Sequence, residues 1–402
     1  AEMQRQDFAV PLLIGGATTR RVHTAVKIAP AYQNGQVIYV TDASRAVGVC
    51  QKALGDGKKA YFSETKADYE RIAEGHARAP ATKARLPIAQ ARAKAFRPDF
   101  ASHPPVKPNM LGTHVFETYD LAKLVPYIDW TPFFSSWQLR GKFPAILQDE
   151  IVGSEAQKLY NDARSLLRRI IDEKWLQAKA VIGFFPANNV NDDDLELYNN
   201  DEREEVQMLL HHLRQQRQKA PGQPNFSLAD FIAPKESGLA DYIGAFAVTA
   251  GLGIEKHVKA FEETHDDYNA IMLKALADRL AEAATEFLHE RVRKEYWAYQ
   301  PGEALDNNAL IAEKYKGIRP APGYPACPEH TEKQSLFELL QVEENTGIKL
   351  TESCAMYPAA SVSGWYFAHP ESRYFGLGQV SKDQVEDYAK RKQMGLEEAE
   401  RW

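Results

Sequence analysis

The stretch Ala180-Val181-Ile182-Gly183-Phe184-Phe185, followed by Leu195-Glu196-Leu197-Tyr198, decides the fold. Both apolar runs are of strand length, and the polar loop between them carries Asp192, Asp193 and Asp194. This pattern predicts a β-hairpin with an acidic tip. Working outward, helical periodicity runs through 155–173, 202–219 and 266–296, the last long and regular enough for a buried spine. Further strands are expected around 349–356 and 363–367, and a C-terminal helix from Ser381. Strands and helices that mix without strict alternation from Gly112 onward favour an α+β domain, with a twisted, mainly antiparallel sheet and flanking helices.

The N-terminal residues follow another rhythm. An apolar run at 8–14 ends in the Gly15-Gly16-Ala17-Thr18-Thr19 turn; an amphipathic stretch to about residue 31 follows, then Val37-Ile38-Tyr39-Val40 and a helix from about Ser44. Strand, turn, helix, strand, helix is a βαβ unit with parallel pairing. Roughly 50 residues are too few for a whole doubly wound domain. The segment therefore reads as the end of a Rossmann-like α/β domain, and the chain, opening on Ala1, as starting inside it. The organisation expected is 1–70 for this part, 71–108 for a linker and 109–402 for the α+β domain. Residues 71–108 hold eight Lys/Arg, two acidic residues and six prolines (80, 87, 98, 104, 105, 108). Such composition disfavours a long helix and suits either a docking tether or a solvated linker wrapped on the surface.

Composition narrows the function. The 402 residues are 44% hydrophobic, which excludes wholesale disorder. No stretch approaches a membrane-spanning length, and the N-terminus lacks a secretory pattern. A formal charge of −6 argues against a general nucleic-acid binder. Cys50, Cys327 and Cys354 are far apart, without CxxC spacing, which argues against a disulfide framework and for a reducing cytoplasm.

Several patches carry candidate chemistry. The Gly15–Thr19 turn and Thr41-Asp42-Ala43-Ser44 lie at strand ends where open α/β sheets bind ligands, although neither nucleotide-binding glycine pattern is present. His211-His212, His265 and His289 give no HExxH, Cys327 with His330 is at most a two-ligand fragment, and GxSxG is absent. The most distinctive segment is Gly317–Lys333, GIRPAPGYPACPEHTEK, with prolines at 320, 322, 325 and 328. A backbone this rigid is either a preorganised ligand wall, with Arg319 to grip a carboxylate and Tyr324 to offer an aromatic face, or a crossover with a structural arginine. Tyr127–Phe134 (YIDWTPFF) sets one carboxylate, Asp129, among aromatics, as core or as a cationic-ligand pocket. Ser361–Phe367 (SVSGWYF), with Tyr374-Phe375 beyond, alternates like a strand.

Taken together, RPAPGYP (319–325) continuing into ACPEHTEK resembles the RxxxGYP signature of the S-adenosylmethionine-binding activation domain of cobalamin-dependent methionine synthases. The similarity extends through YIDWTPFF, GFFPAN (183–188), ADYIGAFAVT (240–249), HDDYNAIMLKALADRLAEA (265–283) and SVSGWYF, and residues 11–19 and 43–49 resemble the end of the same family's cobalamin-binding domain.

This resemblance implies an enzyme that moves methyl from methyltetrahydrofolate through cobalamin to homocysteine. Its activation domain restores oxidised cob(II)alamin to methylcobalamin, using S-adenosylmethionine and an electron from a flavodoxin or related flavoprotein. It also implies roles. Arg319 would pair with the cofactor's carboxylate, Asp129 with its ammonium group, and Gly323 would permit close backbone approach. Tyr324 would flank the cofactor on the cobalamin-facing side as the catalytic contact. Glu282, Tyr374 and Phe375 would add contacts, Phe375 standing where the family often has tyrosine, and Ala43 would touch cobalamin. The DxHxxG motif for cobalt's lower ligand and the clustered cysteines of the zinc-dependent homocysteine site are not in this sequence. The chain alone is therefore not expected to make methionine, and zinc is expected only in a preceding part. The alternative reading is a non-catalytic docking module, whose basic linker and acidic 192–205 region recruit the redox partner.

Overall fold

Parallel pairing begins the chain. The computed structural model describes residues 2–15, 20–40, 43–78 and 85–402, without the side chains of 2, 43–47 and 76–78. The chain divides into two units, 1–85 and 86–402. In the first, β1 (Leu12–Gly15) and β2 (Val37–Val40) pair in parallel, Leu12 opposite Val37. Short helical segments over 21–31 connect them, and helices Ala43–Leu54 and Lys58–Arg78 follow. This is the βαβ arrangement read from the sequence. The candidate ligand turns at Gly16–Thr19 and Thr41-Asp42 lie outside the described residues.

The second unit is built on one long strand. β3 (Gly112–Tyr119), β4 (Gln177–Val190), β5 (Asp194–Tyr198), β6 (Val206–His211), β7 (Asp241–Leu252) and β10 (Ser361–Tyr366) form a six-stranded sheet; β8 (Lys349–Leu350) and β9 (Met356–Tyr357) make a separate hairpin. β7 occupies one edge of β4, while β3 and then β5 share the other, and every pairing is antiparallel. Successive β4 side chains point to opposite faces. Ala178, Ala180, Ile182 and Phe184 join the core under helices Gly153–Asp172 and Asp267–Arg291. Val181, Phe185 and Ala187 face helix Glu332–Leu340 and the turn Leu228–Phe231. With both faces covered, no polar alternation is needed, which is why AVIGFF reads as continuously apolar.

Two expectations change. Residues 202–219 are not helical: 206–211 form β6, paired on β5 with Leu210 opposite Leu195, and the chain then continues extended. A helix would spread His212, Arg214 and Gln216 around its axis, but all three are buried, His212 packed near Phe367 and the other two hydrogen-bonded to different neighbours, so tertiary pairing overrides the local pattern. Residues 71–108 do not form one loose linker either. Helix Lys58–Arg78 passes the boundary expected at residue 70, since the first proline of the stretch is Pro80. Residues from Leu86 onward belong to the second unit and include a helix, Ile88–Ala93.

The acidic hairpin tip is likewise not a free surface. Arg97 pairs with Asp192 and Lys107 with Asp201, while Arg92 holds Asp193 at 2.7 Å and Asp387 at 2.6 Å. Arg92, Arg97 and Lys107 of the basic segment thus meet Asp193, Asp192 and Asp201 of the acidic region within the second unit. At the centre is Arg214, fully buried. Its Nε donates to Asp193 (2.8 Å), Nη1 to the Asn225 carbonyl and Asp230, and Nη2 to Asp230 and the Asp192 carbonyl. All the guanidinium donors are used.

A lysine has three donors and cannot hold this fork. Arg214→Lys is expected to lower unfolding free energy in urea by about 3 kcal/mol, the scale of a broken buried pair. Beside it, burial pushes the His212 imidazole down to about 3. Its neutral form is stabilising above the ordinary histidine pKa, and this contribution is lost as pH falls toward 3. His212→Phe should flatten the acid limb of stability between pH 6 and 4 by about 1.4 kcal/mol per pH unit.

Candidate functional site

The Pro-rich segment lies directly against β10. Ile318 and Phe367 exchange backbone hydrogen bonds at 3.0 Å, and the Trp365 N–H donates to the Pro320 carbonyl at 2.9 Å. This approach needs Gly364, because a Cβ there would sit 2.6 Å from the Pro320 oxygen. The chain then turns tightly: the Tyr324 N–H donates to the Ala321 carbonyl, and the Gly323 N–H to the Cys327 carbonyl at 2.7 Å. Gly323 has φ +95°, and a Cβ there would lie 2.6 Å from the His330 ring. Only glycine adopts that backbone without strain.

The turn projects Arg319 toward the long helix. Its Nη2 donates to Glu286 Oε2 at 2.9 Å, and its backbone N–H donates to the Tyr374 hydroxyl at 3.0 Å. The side chain is 20% exposed and its buried Nε has no hydrogen-bond partner. Burial opposes the guanidinium charge, but Glu286, Tyr315 and Tyr374 outweigh it and raise the pKa of Arg319. Burial also raises that of Tyr374.

These groups surround a cavity of about 460 Å³, within the size of small-molecule sites. Arg319, Pro320, Ala321 and Tyr324 form one wall; Glu282 contributes from the long helix, Glu313 precedes the segment, and Val362, Tyr374 and Phe375 close the rest. The 373–376 loop is braced from behind. Phe375 stacks on Phe226 with ring centres 5.7 Å apart, Arg373 lies over Phe96 and Phe226, and Gln215 Nε2 donates to the Gly376 carbonyl. A guanidinium with a free donor, two carboxylates and aromatic faces can together receive an elongated ligand carrying both signs of charge.

Of the residues singled out in the sequence, Glu282, Arg319, Tyr324, Tyr374 and Phe375 meet at this cavity. Gly323 shapes the turn beside it. Asp129 does not line it: half-buried, it caps helix Trp130–Ser136, with Oδ1 accepting the Thr131 N–H at 2.9 Å. Its neighbours Trp130, Phe133 and Phe134 are core. Ala43 opens a helix of the first unit and its side chain lies outside the described residues. Glu286 and Glu313 were not singled out, and Val362 only as part of SVSGWYF; Glu286 was legible one helical turn beyond Glu282. Among the described residues no three His, Cys, Asp or Glu are grouped to hold a metal ion, and no helix is long and apolar enough to cross a membrane. Gly323→Ala should lower unfolding free energy by more than about 1 kcal/mol in urea titration, because both backbone and His330 resist the added Cβ.

Residues 120–393 match the family model described as vitamin B12 dependent methionine synthase, activation domain. A crystal structure of the MetH reactivation domain bound to AdoHcy is 56% identical, with 79% of this chain and 97% of that chain covered and a TM-score of 0.77. The structure thus has the mixed architecture of that domain, an antiparallel sheet between flanking helices, and the match spans most of the second unit, cavity included. The chain belongs to the activation-domain family of the vitamin B12-dependent methionine synthases, which are methyltransferases.

Proposed function

We propose that the second unit binds S-adenosylmethionine in the cavity between the long helix and the Pro-rich segment. There it would support reductive methylation of inactive cob(II)alamin, within an enzyme that passes methyl from methyltetrahydrofolate to homocysteine. The observation that carries this reading is Arg319, held by Glu286 on one side while its partly exposed side chain lines a cavity of fitting size. The similar MetH reactivation domain, solved with AdoHcy, supports it.

When bound, the sulfonium cofactor supplies a methyl group to reduced cobalt. The chain's own residues do the rest. Arg319 grips the carboxylate, and Glu282 and Glu313 offset positive charge. Tyr324, 62% exposed at the mouth, is the catalytic contact that borders the reacting centre and limits water there. Tyr374 fixes the Arg319 backbone while its ring, with Phe375, flanks the cofactor. Asp129 does not line the cavity, and its role toward the ammonium group is proposed from the family resemblance alone; one oxygen caps its helix and the other keeps acceptor capacity. The first unit, 1–85, is proposed as the end of the cobalamin-binding domain with Ala43 at the corrin, and the second, 86–402, as the activation domain. The electron donor is proposed to be a flavodoxin or related flavoprotein, and the setting the cytoplasm.

Titration calorimetry tests this. S-adenosylmethionine should bind the 402-residue chain, and Arg319→Ala should weaken it by about 10- to 100-fold, the value of a charge-assisted bond. Absence of binding, or equal affinity in the variant, refutes the assignment. Asp129→Asn should weaken binding by a smaller factor in the same experiment.

A further inference from the structure

The long helix and the helical turn Val292–Tyr296 that continues it carry a line of buried polar residues. Glu286 is 8% exposed, His289 and Arg293 not at all, and they follow the cavity residue Glu282 at intervals of four, seven and eleven. They form a chain of alternating charge. Arg319 donates to Glu286 Oε2, Glu286 Oε1 lies 3.8 Å from Arg293 Nη1, and Arg293 is gripped by both oxygens of Glu303 at 2.7–3.0 Å. Arg293 also lies 4.3 Å from the Tyr315 ring centre, and Tyr315 packs edge-on to His289. Glu303 therefore already neutralises Arg293. Glu286 serves Arg319, and its other oxygen makes no hydrogen bond.

A buried ion pair is seldom worth more than apolar packing of equal volume, so stability alone gives little reason for a carboxylate at this position. What it does provide is direction. Arginine has four rotatable side-chain torsions, and an unheld guanidinium at a cavity wall loses that freedom each time a ligand binds. A carboxylate fixed on a rigid helix removes the freedom beforehand.

We propose that Glu286 is the positioning residue for Arg319: it touches no ligand, but presets the guanidinium so that its free donors face the carboxylate of an amino-acid-bearing nucleoside. This rests on the reading of the cavity given above. It makes a claim that a merely structural role does not. Loss of Glu286 should weaken only ligands that carry the carboxylate, and leave those that present the nucleoside alone untouched.

The test uses the 402-residue chain and two probes, S-adenosylhomocysteine and 5′-methylthioadenosine, which keeps the adenosine and thioether but lacks the amino-acid portion. Glu286→Gln should weaken S-adenosylhomocysteine by about tenfold and leave 5′-methylthioadenosine within twofold of its wild-type affinity. Glu286→Asp keeps the charge but is one methylene too short to hold Arg319 at the same distance, so it should show the same one-sided loss. It also substitutes for Glu286→Gln if that variant fails to fold. Equal loss of both probes, or loss of neither, overturns the positioning role while the cavity reading stands. If wild type binds neither probe, the cavity reading fails and the inference falls with it.

Discussion

The close approach of the Pro-rich segment to β10 is the contact on which the site depends. A single missing Cβ at Gly364 lets the Pro320 carbonyl accept from the Trp365 N–H, and the Ile318–Phe367 exchange locks the same register. Prolines have no N–H to give, so this segment can join the sheet only by donating through its few other residues and by offering carbonyls. Once docked, it has little freedom left. Arg319 is then delivered between the sheet edge and the long helix, where Glu286 and the Tyr374 hydroxyl meet its side chain and backbone.

A second constraint acts on charge. The chain contains many more ionic groups than a free surface would display, because much of the acidic hairpin tip and part of the basic segment are consumed by one another. Arg214 alone satisfies Asp193 and Asp230 in the interior, and Arg391 and His211 take up Asp194. These pairs join the start of the second unit and the C-terminal helix Lys382–Lys392 to the hairpin. They tie distant parts of the chain together. A −6 net charge conveys none of this, since composition counts charges without saying which of them meet.

Much of the architecture was readable because its signals are local. The β4–β5 hairpin, the parallel β1–β2 pair and the long helix all show in short windows of apolar spacing. The 202–219 stretch misled for the same reason: its local spacing is helical, while burial of His212, Arg214 and Gln216 against separate neighbours requires extended chain. At the site, Arg319, Tyr324, Tyr374, Phe375 and Glu282 were found through long motifs that resemble a family. Glu313 and Glu286 lie outside those motifs and were passed over. Asp129 shows the limit differently, for its part in capping a helix of core aromatics depends on where that helix begins.

By itself the amino-acid sequence determined the elements, the rigidity of the Pro-rich segment and the residue types able to grip a charged ligand, because these follow from backbone chemistry and from spacing along the chain. Only the tertiary structure decided which of those residues share a cavity, which charges cancel in the interior, and that Glu286 stands behind Arg319. Those facts depend on distances between residues far apart in sequence, such as the 33 positions separating Glu286 from Arg319, which no local pattern encodes.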